Sequence, residues 1–204
     1  MNKWIELAMR VQSIAQAGLT YSEGEYDIER YKELRHISAE MLSCTTEMPA
    51  RNIEKFFCNE EGYQTPKIDT RAAIFQNDKI LLVHEKNDTW ALPGGWCEVN
   101  ESIASNTIKE TREEAGLNVI PQKLIAAQDW RKHNPCDLPY GVIKMFVLCE
   151  LIDGNFCDNV ETVGFDYFSV DELPASLANE KATAEQIRLC FDAYNSEVWE
   201  TVFD

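Results

Sequence analysis

Apolar residues recur every three or four positions at the start of the chain and switch to strand-like runs after a polar break. Trp4, Ile5, Ala8, Val11, Ile14 and Ala15 fall on a helical spacing, which Gly18 and the polar run 21–25 bring to a close. Tyr31, Leu34, Ile37, Ala39, Met41 and Leu42 predict a second helix. Pro49 can open a third, through Ile53, Phe56 and Phe57. The stretch 59–66, polar with Gly62 and Pro66, ends this pattern. It divides a helical N-terminal domain, residues 1–60, from a larger domain, residues 67–204.

In the larger domain, 68–75 and 80–83 predict a hairpin turning at Asn77 and Asp78. Trp90 and Leu92 lead into the glycine loop Pro93, Gly94, Gly95. A helix follows from Ser102 to Ala115, with Ala104, Ile108, Thr111 and Ala115 as its packing stripe. Gly116 stands where a left-handed cap is wanted. Further strands are expected over 119–130, interrupted by Pro121, over the strongly apolar 142–151, and over 163–170. Residues 183–194 close the domain as a helix, with Ile187, Leu189, Cys190 and Ala193 on its apolar side. Strands on both sides of one helix, with another helix at the end, predict an α+β fold with a mixed sheet between helical layers.

Composition changes this picture in two ways. A formal net charge of −16 over 204 residues disfavours bulk nucleic acid as a partner, which calls for a basic surface. It suits a site that recruits a cation and then a phosphorylated small molecule. The seven cysteines contain no CxxC pair, the N-terminus has no apolar signal core, and no apolar run approaches membrane-spanning length. A cytoplasmic protein with reduced thiols and no membrane partner is expected.

The chemistry concentrates at the end of the 102–115 helix. Glu110, Glu113 and Glu114 stand at i, i+3 and i+4, so they crowd one another and the negative end of the helix dipole. A solvated acidic face is the ordinary explanation of such a run. A hard divalent cation held by carboxylate oxygens is the alternative, and it resolves the repulsion. The neighbouring glycines favour it. Gly95, Glu101, Lys109, Glu110, Thr111, Glu113, Glu114, Gly116 and Leu117 meet the spacing G-x5-E-x7-[RK]-E-U-x-E-E-x-G-U, where U is aliphatic.

This spacing resembles the signature of the Nudix hydrolases, with two departures: Lys109 where Arg is usual, and Thr111 where an aliphatic is usual. The resemblance implies a Nudix α-β-α sandwich for the larger domain. It implies a Mg²⁺-dependent pyrophosphohydrolase, with Mn²⁺ a possible substitute. Glu110, Glu113, Glu114 and the Gly95 carbonyl are the implied metal ligands. Glu110 is the first candidate for general base and Glu161 the reserve, while Glu101 and Lys109 support the site. The N-terminal helices and the runs after Asp129 also look like a bacterial subgroup that includes CDP-choline pyrophosphatases and related nucleoside diphosphate-X hydrolases. CDP-choline is therefore the first substrate expected and ADP-ribose the second. The unpartnered N-terminal stripes and the subgroup together lead to a homodimer.

Other residues admit two readings. Arg71 and His133 are candidate substrate contacts, His133 set against a plain surface loop. Lys144, a cation in an apolar strand, either pairs with a carboxylate or meets a phosphate. Trp90, Trp96 and Trp130 could stack a base or fill the core. The three histidines share no zinc-ligand spacing. An RNA-directed enzyme and a catalytically silent ligand sensor compete with the hydrolase reading. The acidic balance opposes the first and the complete glutamate set opposes the second.

Overall fold

A computed structural model describes residues 2–46, 48–135 and 139–204, with the side chain of Phe56 excepted. Cys136, one of the seven cysteines, and the Phe56 side chain lie outside the described residues. The chain divides into two compact units, one of residues 2–66 with 139–141, the other of 67–135 and 142–204.

The first unit holds α1 (Lys3–Tyr21), α2 (Glu25–Ser43) and α3 (Ala50–Phe57). Ile5, Ala8, Ala39, Leu42, Ile53 and Phe57 make its core. Helix α1 does not stop at Gly18 as expected. It runs on because Gly18 is a packing residue: a Cβ there would lie 2.3 Å from the Tyr31 ring of α2. Trp4 and Ile14 of the predicted stripe are each 59% exposed, so part of that stripe faces outward. No described helix is long and apolar enough to cross a membrane.

The second unit contains β1 (Lys67–Gln76), β2 (Lys79–Glu85), β3 (Trp90–Ala91), α4 (Ile103–Ala115), β4 (Leu117–Asp129), α5 (Trp130–His133), β5 (Val142–Gly154), β6 (Thr162–Phe168), α6 (Ala184–Asn195) and β7 (Val202–Phe203). The strand order is β3-β2-β1-β5-β4-β7, with β6 also paired to β2. Strand β5 lies parallel to β1 and antiparallel to β4, so the sheet is mixed. Successive strand residues face opposite ways. Ala72, Ile74 and Val147 pack with Ala115 and Leu117 at the end of α4. Ala73, Ala126 and Phe146 pack with Ile187, Cys190 and Phe191 of α6. The sheet is thus sandwiched between α4 and α6, as the α-β-α expectation requires.

The stripe expected on α4 is turned. Thr111 and Ala115 are fully buried, but Ala104 is exposed and Ile108 is 37% exposed. Asn106, Thr107 and Glu114 go inward instead. Polar contacts set this rotation, as the site geometry shows. The strand expected over 119–130 also ends one residue early, because Asp129 caps the turn of α5 by accepting the Arg131 N–H.

Candidate active site

Helix α4 is fastened at both ends. Ser102 caps its start in a reciprocal pair with Ser105, and the ladder ends at Gly116 in the left-handed region, φ 71°. Asn106, fully buried, donates to Thr70 Oγ1 of β1 at 2.8 Å and accepts the Glu98 N–H at 3.3 Å. At the far end the Glu114 carbonyl accepts Thr162 Oγ1 at 2.6 Å and Asn159 Nδ2 at 3.3 Å. Asn159 Oδ1 in turn receives the N–H groups of Glu161 and Thr162 at 2.9 and 2.8 Å. The loop before β6 is therefore tied to the end of the helix.

The glycine loop runs beside β1. Thr70 donates its N–H to the Gly95 carbonyl at 2.9 Å, and Ala72 donates to Pro93 at 2.8 Å. A Cβ on Gly94 would sit 1.9 Å from the Thr70 carbonyl oxygen, so no larger residue fits. The Gly95 carbonyl keeps a second lone pair. A Cβ on Gly95 would lie 2.7 Å from Glu110 Oε2, which measures how closely that carboxylate meets the loop.

The three box glutamates differ in setting. Glu114 is 6% exposed and accepts the Gly94 N–H at 2.9 Å. Burial raises its pKa to about 7, against the opposing pull of Arg71 and of that hydrogen bond. Glu110 is half-buried, and burial raises its pKa too, outweighing its contact with Lys109. Glu113 is the exposed member. Lys109 Nζ lies 3.1 Å from Glu98, 3.2 Å from Glu110 and 3.2 Å from Glu113. Its pKa is pushed up, first by the hydrogen bond to Glu98. The motif residue Glu101 is not among these partners; Glu98, outside the motif, takes the lysine instead.

Glu110, Glu113 and Glu114 share a cavity of about 330 Å³ with Asn159, Val160 and Glu161. The reserve base candidate therefore lies beside the box glutamates. Among the described residues no group of three or more carboxylate, thiol or imidazole side chains is drawn together closely enough to hold a metal ion by itself. A magnesium ion does not require one, since it keeps several waters and takes only a few carboxylates. Four carboxylates lining one cavity, two with pKa values raised by burial, form a donor set that fits such a cation.

The candidate substrate residues do not line that cavity. Arg71 and Lys144 are buried, both on Asp69. Arg71 grips both Asp69 oxygens, at 2.7 and 3.1 Å, and Lys144 reaches one at 2.7 Å. Burial opposes the Asp69 charge, but the two cations outweigh it and hold its carboxyl below the usual range. His133 stands 3.3 Å from Asp204 in α5. Trp130 is core, Trp90 stacks on His84 at 4.4 Å, and Trp96 is 48% exposed.

Sequence reasoning missed Glu98, Asn106, Asn159 and Thr162. The Asn-x-Glu-Thr run carries an Asx-turn signal, which could have marked Asn159. The Asn106 and Glu98 contacts depend on the tertiary fold and leave no local trace.

The chain resembles known proteins over its whole length. Residues 2–57 match the family described as a UDP-X-like N-terminal oligomerisation domain, and residues 66–190 match the NUDIX domain. The Bacillus subtilis (strain 168) protein YjhB, provisionally named an ADP-ribose pyrophosphatase, is 41% identical over 203 residues, covering 99% of this chain and 97% of that one. A solved ADP-ribose pyrophosphatase from Streptococcus suis 89-1591 superposes with a TM-score of 0.65 at 54% identity, covering 69% of this chain and all of the other. A solved UDP-X diphosphatase gives 0.64 at 31% identity, covering 98% of this chain and 97% of the other. With the NUDIX match over residues 66–190 and an end-to-end relative behind it, the chain belongs to the Nudix hydrolases.

Proposed function

We propose that this hydrolase is Mg²⁺-dependent and cleaves the diphosphate bridge of ADP-ribose or of a UDP-X compound. The observation that carries the reading is the shared cavity of Glu110, Glu113, Glu114 and Glu161 at the end of α4. The names of the full-length relatives support the substrate order, moving ADP-ribose and UDP-X ahead of CDP-choline. Glu110, Glu113, Glu114 and the Gly95 carbonyl would hold the metal. Bound there, Mg²⁺ supplies charge neutralisation of the diphosphate and a more acidic water. Glu110 or Glu161 takes the proton as water attacks one phosphorus. The bridging P–O bond breaks, leaving a nucleoside monophosphate and a phosphorylated X.

The remaining side chains support the site in this reading. Arg71 and Lys144 share Asp69 and brace β1 against β5. Arg71 also tempers the charge of Glu114. Lys109 serves the carboxylates directly, while Glu101 holds the loop through its backbone N–H to Glu98, 3.0 Å. His133 is assigned to the surface, with Asp204 as partner. The helical domain up to residue 60 serves assembly, as a homodimer, and residues 67–204 serve hydrolysis. Free thiols at all six described cysteines fit a cytoplasmic setting.

The test is a panel of ADP-ribose, UDP-sugars, CDP-choline, dinucleoside polyphosphates and short RNA, with and without chelator. Wild type should release a nucleoside monophosphate from ADP-ribose or a UDP-sugar only with metal present. Glu113→Gln and Glu114→Gln should lower turnover by roughly two or more orders of magnitude while remaining folded. Full activity in either variant would remove the metal assignment, and exclusive cleavage of RNA would replace the substrate class.

A further inference from the structure

We infer that Lys109 is a built-in counter-cation for the box carboxylates, and that metal displaces it onto Glu98. This rests on the metal reading above.

The three ion pairs of Lys109, to Glu98, Glu110 and Glu113 at 3.1, 3.2 and 3.2 Å, use the three donors an ammonium has. Two of those acceptors line the cavity and are proposed ligands. The third is not in that lining. Glu98 belongs to the loop before α4, and its side chain is 53% exposed. Its backbone is nonetheless fixed, the N–H to Asn106 Oδ1 at 3.3 Å and the carbonyl to the Glu101 N–H at 3.0 Å. The lysine therefore has a partner outside the cavity whose backbone is held in place.

An ammonium and a divalent cation on the same two carboxylates repel each other strongly at contact distances. Metal entry then requires that Lys109 give up Glu110 and Glu113. The Glu98 contact lets it do so without losing all pairing. A lysine suits this exchange because it is a point charge on a flexible four-carbon stem, whereas the planar guanidinium of arginine locks onto carboxylates through paired hydrogen bonds. Without metal the same lysine offsets the repulsion within the cluster. Lys109 is thus a positioning residue whose removal should act in opposite directions on metal-free stability and on metal affinity.

The experiment measures Mn²⁺ binding by the free-ion electron spin resonance signal, and thermal unfolding with EDTA or saturating Mn²⁺. It uses the full-length wild type, Lys109→Met, Glu98→Gln and the double variant. Lys109→Met should bind Mn²⁺ on the order of tenfold more tightly, the usual scale for groups that neighbour a metal's ligands. It should unfold at a lower temperature in EDTA, and the deficit should shrink in Mn²⁺. Glu98→Gln should bind Mn²⁺ more weakly, because the lysine has lost its alternative partner. That effect should vanish in the Lys109→Met background, which separates an action through Lys109 from the plain loss of a nearby negative charge. Glu98 is exposed, so its variant folds even if Lys109→Met does not. Unchanged or weaker Mn²⁺ binding by Lys109→Met overturns the exchange, as does a Glu98→Gln effect of equal size with and without Lys109. A wild type that takes up no Mn²⁺ removes the metal reading itself.

Discussion

Glu114 is 6% exposed, and its pKa rises from the ordinary 4.5 to about 7. Its ionised form is held at a cost when no metal is present. Burial is the dominant cause, and the Gly94 N–H with the Arg71 charge recovers only part of it. The folded state binds this proton more tightly than the unfolded chain does. The contribution of Glu114 to stability is therefore fully present below about pH 4.5 and is lost as pH rises through about 7. The loss is on the order of 3 kcal/mol. Other groups titrate over the same range, so the measurement is a difference. In EDTA, Glu114→Gln should match wild type near pH 4.5 and be more stable by a few kcal/mol at pH 8. Denaturant melts at several pH values check this, and parallel curves for the two proteins would mean that Glu114 is already compensated.

At the scale of the helix, the same inward pull explains why α4 is rotated from its expected stripe. Glu114 reaches back to the glycine loop and Asn106 reaches across to Thr70, so the face between them is buried whatever its polarity. Thr111 comes with it. It is fully buried, and its Oγ1 has no hydrogen-bond partner. An orphaned buried hydroxyl costs about 1–3 kcal/mol, and valine has nearly the same shape without it. Thr111→Val should therefore raise the unfolding free energy by about 1 kcal/mol with no loss of turnover. Chemical denaturation is the check, and a destabilised variant would show that the hydroxyl is satisfied in solution. What was legible and what was not follows from locality. The hairpin turn could be read because Asn77 and Asp78 tolerate positive φ, and both adopt it, at 51° and 59°. Gly116 could be read for a similar reason, and the carboxylate cluster because its spacing is carried within one helix. The rotation of α4 could not, since it is decided by Thr70 and Gly94 on other segments. Nor could the partner of Lys144, because Asp69 is 75 positions away and meets it only through the parallel register of β1 with β5.

At the scale of the whole chain the charge is unevenly divided. Residues 1–66 carry seven basic and eleven acidic side chains, a net of −4, which leaves −12 of the −16 on residues 67–204. The hydrolase unit thus has the negative potential that gathers divalent cations, while the helical unit carries a quarter of the excess charge and can meet a copy of itself with less repulsion. That helical unit also exposes Ile14 at 59% and Tyr21 at 69%, seven positions apart on α1 and so on one face. Its match to an oligomerisation domain points the same way. Burying one isoleucine contributes about 1.5–3 kcal/mol, and a two-fold interface counts it twice. If the chain pairs as the homodimer proposed above, Ile14→Glu, at an exposed position that leaves each helical core intact, should raise the dissociation constant at least about a hundredfold. Sedimentation velocity on both proteins at micromolar concentration reads this directly. A wild type that sediments as a monomer, or an Ile14→Glu variant that stays paired, would move the interface off this face of α1.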